Sequence, residues 1–440
     1  MKHIVIIGNG ISGITAARYI RKNSDAQITI ISAESQYFFS RTALMYVFMG
    51  QVRFEDTYPY DQDFYRKNRL NLVFDRVESI DFSAKTLKLK ATDSIVYDEL
   101  ILATGSKPRK LNIEGEKLEG IQGLYSKQDL EKLENKRNQI QKAIVLGGGL
   151  IGVELVEMLH YQRAEVDFVV RESGFWAEVL CEKEQRFIEE HIQSKGIRIH
   201  FNEEIRSFEG EGKVCQAFTK SGKKIEIDFA GITIGVEPNI EFLKNSELEL
   251  QEGILVDEDF QTNIPNVYAI GDCAEHRNPI QNRKKIEQLW YTGKLQGKQL
   301  GENLGKGESQ KYEPGPWFNS AKFFDIEFQN YGFVSNTKKE GQSEFIWKKG
   351  NKMFRLLFDS NTDEFIGINA FNLKFRHPVF DHWLRNKAGV EEVLQNLKTA
   401  SFDGEFSKKY EEEIVRAFNQ EIGRNVQLKK KMWYQKLISK

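Results

Sequence analysis

At 440 residues the chain is too long for one typical hydrophobic core, so two or three domains are expected. Its 40% hydrophobic and 29% charged residues are those of a folded globular protein, and a formal net charge of −1 leaves no whole-molecule field to draw in nucleic acid. The cysteines, Cys181, Cys215 and Cys273, stand far apart, which excludes a CxxC pair, a cysteine metal cluster and a disulfide scaffold. A cytoplasmic location without a metal site is the expectation; no signal peptide is read at residues 4–7, and no stretch nears the roughly 18–20 apolar residues that span a bilayer.

In chain order, residues 4–7 read as a buried parallel strand, broken by a glycine turn; residues 14–22 have helical spacing and residues 28–31 form a second buried strand. The same order returns with a strand at 143–146, a glycine turn, a helix from about 151 to 162 and a strand at 166–170. Residues 100–103, 232–234 and 267–270 are further strands, each ending near a glycine. After Pro314 the texture becomes aromatic and alternating over 318–331 and 345–371, as in an antiparallel sheet. Beyond Phe402 the chain reads as helical, with a basic end at 429–440.

The first turn, Gly8-Asn9-Gly10-Ile11-Ser12-Gly13, fits GxGxxG between a strand and a helix. Gly8 permits the tight turn, Gly10 lets backbone approach a pyrophosphate, and Gly13 lets the helix lie close on the sheet. The helix start, with Ile11 and Ser12, then offers unpaired N–H groups to that pyrophosphate. Glu34 follows at the end of the second strand, where a carboxylate can bind a ribose diol. Gly147-Gly148-Gly149-Leu150-Ile151-Gly152 repeats the pattern, with Glu154 just beyond. Here the strand ends in Arg171-Glu172; Glu172 suits the ribose hydroxyls of NADH, whereas Arg171 suits the extra phosphate of NADPH. NADH is the favoured reading, with both open.

Five segments carry a resemblance: GNGISG at 8–13, LATGSKP at 102–108, GGGLIGVE at 147–154, TIGVEPN at 233–239 and TNIPNVYAIGDCA at 262–274. In this order the chain resembles the pyridine nucleotide–disulfide oxidoreductase superfamily of flavoprotein reductases over about its first 310 residues. The resemblance implies an α/β fold with two Rossmann-like dinucleotide-binding domains, for FAD and for NAD(P)H, plus a C-terminal α+β domain with a helical tail. The implied boundaries are 1–112 and 246–313 for FAD, 113–245 for NAD(P)H, and 314–440 for the last domain, its tail from about 403.

Carried over by position, Glu34 would hold the adenosine ribose of FAD, Arg41 would lie by its pyrophosphate, and Asp272 would hold the ribityl chain. Ala103, Thr104, Gly105, Gly235 and Gly271 belong to the same cofactor-binding motifs. Glu154 would lie at the nicotinamide end, and Glu287 with Trp290 would open the helix beneath the flavin, both Glu154 and Trp290 in positioning roles only.

The departures are as informative. Disulfide reductases of the family carry a cysteine pair in the region of residues 41–50, and this sequence has none there. The resemblance is therefore to the branch that passes electrons from flavin to a partner: ferredoxin and rubredoxin reductases, the flavin part of nitrite reductases, and apoptosis-inducing-factor-like proteins. Members often place a lysine where this chain has Tyr46, which puts the usual lysine–glutamate pairing with Glu154 in question. The expected function is hydride transfer from NAD(P)H to FAD and onward to an iron–sulfur carrier. A peripheral quinone reductase, its basic tail on a membrane, and a slow-turnover flavin redox sensor are the alternatives; a homodimer is compatible with all three.

Overall fold

Five apolar segments of the computed structural model line up as a parallel sheet, in the order Val267–Ala269, Glu99–Leu102, His3–Ile7, Gln27–Ser32 and Leu70–Phe74. The central strands are largely apolar on both faces because alternate residues enter different cores. Val5, Ile7 and Ile31 join one cluster, while Ile4, Ile6, Ile28 and Ile30 join another with Ile14, Ala17 and Ile20 of the helix Ile11–Asn23. Residues 1–280, 283–402 and 408–429 are described. By contact the chain divides into two interleaved units. One comprises Met1–Gly147, Met158–Asp167 and Glu204–Pro314; the other comprises Gly148–Glu157, Phe168–Glu203 and the chain from Gly315 onward.

In the first unit the helix Trp290–Lys306 lies along Ile11–Asn23. Its contact face is a row of glycines four residues apart, Gly293, Gly297, Gly301 and Gly305. A Cβ on Gly297 would stand 2.3 Å from the Ser12 carbonyl oxygen, and one on Gly301 2.6 Å from that of Ala16. Only bare backbone admits so close an approach, and it seats the later helix against the first glycine turn.

Lys142–Leu146 runs parallel to Phe229–Ile232, which pairs in parallel with Ile121–Gln122. The strand expected at 232–234 thus lies earlier. At its end Thr233 donates both its backbone N–H, at 2.9 Å, and its hydroxyl, at 2.6 Å, to the Leu146 carbonyl.

In the second unit an antiparallel sheet runs in the order Phe318–Phe323, Ile326–Gly332, Phe365–Phe371, Lys352–Asp359, Gln342–Lys349. The aromatic run at 318–331, expected to lie in an antiparallel sheet, is an antiparallel pair of strands, the chain turning at Phe324 with φ +55°. Helices also begin earlier than expected: His377–Arg385, Val390–Gln395 and Leu397–Ala400 pack Phe380, Trp383, Val393 and Leu397 into the core with Leu356 and Ile368. His377-Pro378 opens the first of them, where proline's missing N–H costs nothing. The helix Glu411–Ile422 lies within the tail expected from about 403. Residues 403–407, and the basic end from 430 to 440, lie outside the described residues.

The same unit buries a charge pair. Arg355, fully enclosed on Lys352–Asp359, donates to Glu184 at 3.1 Å, Glu344 at 2.6 Å and the Ser335 carbonyl at 2.8 Å. Glu184, on the helix Glu182–Ser194, also accepts from Asn369 at 2.9 Å and from the Cys181 N–H at 2.9 Å. Nothing in the hydrophobic pattern foretold this network. Among the described residues no helix is long and apolar enough to cross a membrane.

Candidate functional site

The first glycine turn is built by contact. Gly8 has φ +117°, and a Cβ there would sit 2.0 Å from the Ala103 carbonyl oxygen; a Cβ on Gly13 would sit 2.0 Å from the carbonyl oxygen of Gly8. Gly10 is the opposite case, since a Cβ on it would meet nothing within 4 Å. The helix Ile11–Asn23 starts at Gly10 with no side chain capping its first amides. An open approach in front of uncapped N–H groups suits an anionic pyrophosphate, by hydrogen bonding and by the helix dipole.

Around it the fold gathers residues far apart in sequence. Val267–Ala269 pairs with Glu99–Leu102 and delivers Gly271 and Asp272, while the Gly271 N–H donates to Gln296 at 2.7 Å. Ser106 donates its hydroxyl proton to Asp272 at 2.7 Å and lies 2.9 Å from the Tyr125 hydroxyl. Burial pushes the Asp272 carboxyl up, opposed by the Ser106 bond and the charge of Arg41. Thr104 donates to the Asn239 carbonyl at 2.9 Å, and the Asn239 N–H donates to the carbonyl of Gly105 at 2.9 Å, tying LATGSKP to TIGVEPN.

Glu34 and Arg41, expected at different parts of the nucleotide, form a bidentate pair at 2.9 and 2.6 Å. Arg41 also donates to the Tyr125 carbonyl and lies over that ring at 4.5 Å, while Glu34 accepts the Lys127 N–H at 3.0 Å. Burial pulls the Arg41 guanidinium down and its bonds to Glu34 push it up, the net direction being upward. Sequence reasoning missed Tyr125, Lys127 and Gln296. The signal for the first two was present: Ser126 and Asp129 form a capping box that starts the helix Lys127–Lys136 beside Glu34. For Gln296 no local signal exists.

Trp290 opens its helix as expected, with the Lys294 ammonium 5.1 Å from its ring. The Glu287 carboxylate is engaged by Arg283 at 3.2 Å and by the Thr292 hydroxyl at 3.0 Å, almost fully enclosed.

The second turn repeats the device of the first. Gly147 has φ +111°, and a Cβ there would lie 2.3 Å from the Thr233 carbonyl oxygen, while Gly149, like Gly10, faces open space. Gly235 has φ +100°, and its carbonyl accepts the Arg109 N–H at 3.1 Å. In the other unit Leu150, Ile151 and Glu154 lie half-buried on the helix Leu150–Tyr161, with Gly152 buried among them. Glu172 is paired at 2.8 Å with Arg171 beside it, and its carbonyl accepts the Asn202 N–H at 3.1 Å.

None of the three cysteines forms a disulfide. Burial pushes the Cys181 thiol up to about 11, and it pushes that of Cys273 up too, so both are neutral thiols at physiological pH. The helix Leu44–Phe48, within the region where disulfide reductases carry their cysteines, presents none. Among the described residues no three His, Cys, Asp or Glu side chains could share a metal ion.

Residues 2–297 match the family described as pyridine nucleotide-disulphide oxidoreductase. The chain belongs to this family. An NADH oxidase of Methanocaldococcus jannaschii is a relative at 31% identity over 353 residues, 76% of this chain and 78% of that protein. A rubredoxin-NAD(+) reductase of Pseudomonas putida is 31% identical over 279 residues, 62% of this chain and 72% of that protein. A ferredoxin reductase from Rhodopseudomonas palustris shares the fold, with a TM-score of 0.78 at 23% identity over 84% of this chain and 91% of that one. As a pyridine nucleotide-disulphide oxidoreductase, the chain is an α/β oxidoreductase with Rossmann-like cores and a C-terminal domain. FAD and NAD(P)H are its cofactors, and two glycine turns, each open at its middle glycine, are what two dinucleotides require.

Proposed function

We propose that the chain takes hydride from NADH and passes the electrons through FAD to a ferredoxin- or rubredoxin-like carrier, in the cytoplasm and without a redox disulfide. The observation that carries this reading is the doubled glycine device, Gly8 against Ala103 and Gly147 against Thr233, in a chain whose 41–50 segment has no thiol. In this reading residues 1–112 and 246–313 hold FAD, 113–245 hold the nicotinamide nucleotide, and 314–440 form the third domain. The return of Val267–Ala269 to the first sheet supports the split FAD domain.

Bound FAD supplies the chemistry, accepting hydride and releasing electrons singly or in pairs. The protein's part is position and charge. The amides of Ile11, Ser12 and Gly13 would meet the FAD pyrophosphate, Glu34, with Arg41 braced against it, would hold the adenosine ribose, and Asp272 the ribityl chain. The helix begun at Trp290 would offer the positive end of its dipole to a flavin bound beside it, suited to negative charge on the reduced ring. Leu150, Ile151 and Gly152 would meet the nicotinamide nucleotide's pyrophosphate, and Glu154 would stand at its nicotinamide end.

Anaerobic titration tests this directly. The protein is expected to carry a flavin spectrum that NADH bleaches within seconds and to reduce cytochrome c faster when a ferredoxin or rubredoxin is added. Turnover on oxygen alone that exceeds carrier reduction would reject the carrier and favour an oxidase. A bound flavin that neither NADH nor NADPH reduces would reject the reading altogether.

Glu172 sets the nucleotide preference, since a carboxylate on the ribose diol repels a 2′-phosphate. Glu172→Gln is expected to raise the NADH KM roughly tenfold, the loss of one charge-assisted hydrogen bond, with kcat little changed. An unaltered ratio of NADH to NADPH efficiency would remove Glu172 from the site.

A further inference from the structure

On the helix Leu150–Tyr161, Glu154 and Glu157 stand three residues apart and both are half-buried. Glu154 and Glu157 are therefore neighbours one turn apart, and like charges so placed repel. Only Glu157 is neutralised directly. Lys322, on the strand Phe318–Phe323, donates to one of its oxygens at 3.0 Å, and the Phe324 N–H donates to the other at 3.1 Å. The Glu157 side chain is 12% exposed and that of Lys322 34%, so the pair is partly shielded from water. No hydrogen bond or ion pair reaches the Glu154 carboxyl from the described residues. The charged groups acting on it are Glu157 on its own helix and Lys322 from the sheet.

We propose that Lys322 and Glu157 act as positioning residues that set the charge of Glu154, and through it the preference of the nicotinamide site between oxidised and reduced nucleotide. This rests on the placement of Glu154 at the nicotinamide end. The oxidised nicotinamide ring carries a positive charge and the reduced ring none. An ionised Glu154 therefore attracts NAD+ and leaves NADH unaffected, and a protonated Glu154 distinguishes neither. Burial, and then the charge of Glu157, push the Glu154 carboxyl up to about 7, with Lys322 opposing. The group thus changes charge across the physiological range. On the acid side product NAD+ is held less tightly, and on the alkaline side it competes with NADH. The last domain, through Lys322, thereby takes part in nucleotide discrimination.

The sign of each substitution follows from the triad. Lys322→Gln removes the opposing cation and moves the titration of Glu154 to higher pH. Glu157→Gln removes the repelling charge, leaves an amide oxygen to accept the Phe324 N–H, and moves the titration to lower pH.

The test is calorimetric binding of NAD+ and of the redox-inert 1,4,5,6-tetrahydro-NAD to the FAD-loaded protein between pH 5.5 and 8.5. It is paired with NMR titration of the protein labelled with 13C at its glutamate carboxyls, where Glu154 is assigned by loss of its signal in Glu154→Gln. The expected result is NAD+ affinity rising roughly tenfold with pH, one partly screened charge–charge interaction, while the uncharged analogue binds equally throughout. Glu154→Gln should flatten the NAD+ curve, and the Lys322 and Glu157 variants should move its midpoint, and the carboxyl titration, in opposite directions. A flat wild-type curve, or a midpoint that neither variant moves, overturns the inference while NADH still reduces the flavin. Absence of both NAD+ binding and flavin reduction would instead strike the underlying reading.

Discussion

Arg355→Ala is expected to lower stability by about 3–5 kcal/mol, the cost of leaving one member of a buried ion pair without its partner. Arg355 and Glu184 are both fully enclosed, and Arg355 also holds Glu344 and the Ser335 carbonyl. Burial already pushes the Glu184 carboxyl up, and Arg355 is the largest influence pulling it down. Without Arg355 the folded-state pKa rises further above the unfolded value. A carboxyl raised in this way is tolerated below its unfolded pKa and destabilises as pH climbs through the folded one. The deficit of the variant should therefore be smaller at pH 5 than at pH 8, as read from urea midpoints at the two values. An equal deficit at both would mean that packing, not the stranded charge, dominates.

Gly8→Ala and Gly10→Ala form the second pair, and they should fail differently. At Gly8 the added Cβ meets the Ala103 carbonyl oxygen at 2.0 Å, from a backbone with φ +117°. The strain of a left-handed residue is ~1–2 kcal/mol and overpacking adds ~1–3. Both relax only by opening the turn against LATGSKP. This variant should lose melting temperature without cofactor and purify with little flavin. At Gly10 the Cβ meets nothing within 4 Å, and φ is −81°, which alanine adopts freely. The apoprotein should melt as the wild type does, yet FAD affinity should fall by roughly tenfold or more, about 1.4 kcal/mol or greater, because the methyl occupies the pyrophosphate's approach. The ratio of absorbance at 450 to 280 nm and the apoprotein melting temperature separate the two. A Gly10 variant with full flavin content would mean the pyrophosphate lies elsewhere.

The legibility of the chain followed the range of the interactions. The two strand–turn–helix units could be read because a buried parallel strand, a glycine turn and an amphipathic helix each leave a mark within about thirty residues. Ile4 to Ile7 and Ala143 to Leu146 are such marks, and the strands stand where they were read. Thr233 directs both its N–H and its hydroxyl to the one carbonyl of Leu146, a pairing that a local apolar pattern does not register. The helices from His377 to Ala400 went unread because their aromatic residues, Phe380 and Trp383, continue the texture of the sheet before them and answer to the same core.

Sequence alone determined the family, the two glycine turns and the absence of a cysteine pair at 41–50, since each is a matter of residue identity at short spacing. Tertiary structure alone decided which distant groups meet. It joined Glu34 to Arg41 and the Lys127 amide, Asp272 to Ser106, Gln296 to Gly271, Arg355 to Glu184, and Lys322 to Glu157. These are contacts of charge and hydrogen bonding whose sequence separations run from 7 residues, for Glu34 and Arg41, to 171, for Arg355 and Glu184. A polar side chain's partner depends on where the backbone carries both ends, and no local periodicity encodes that.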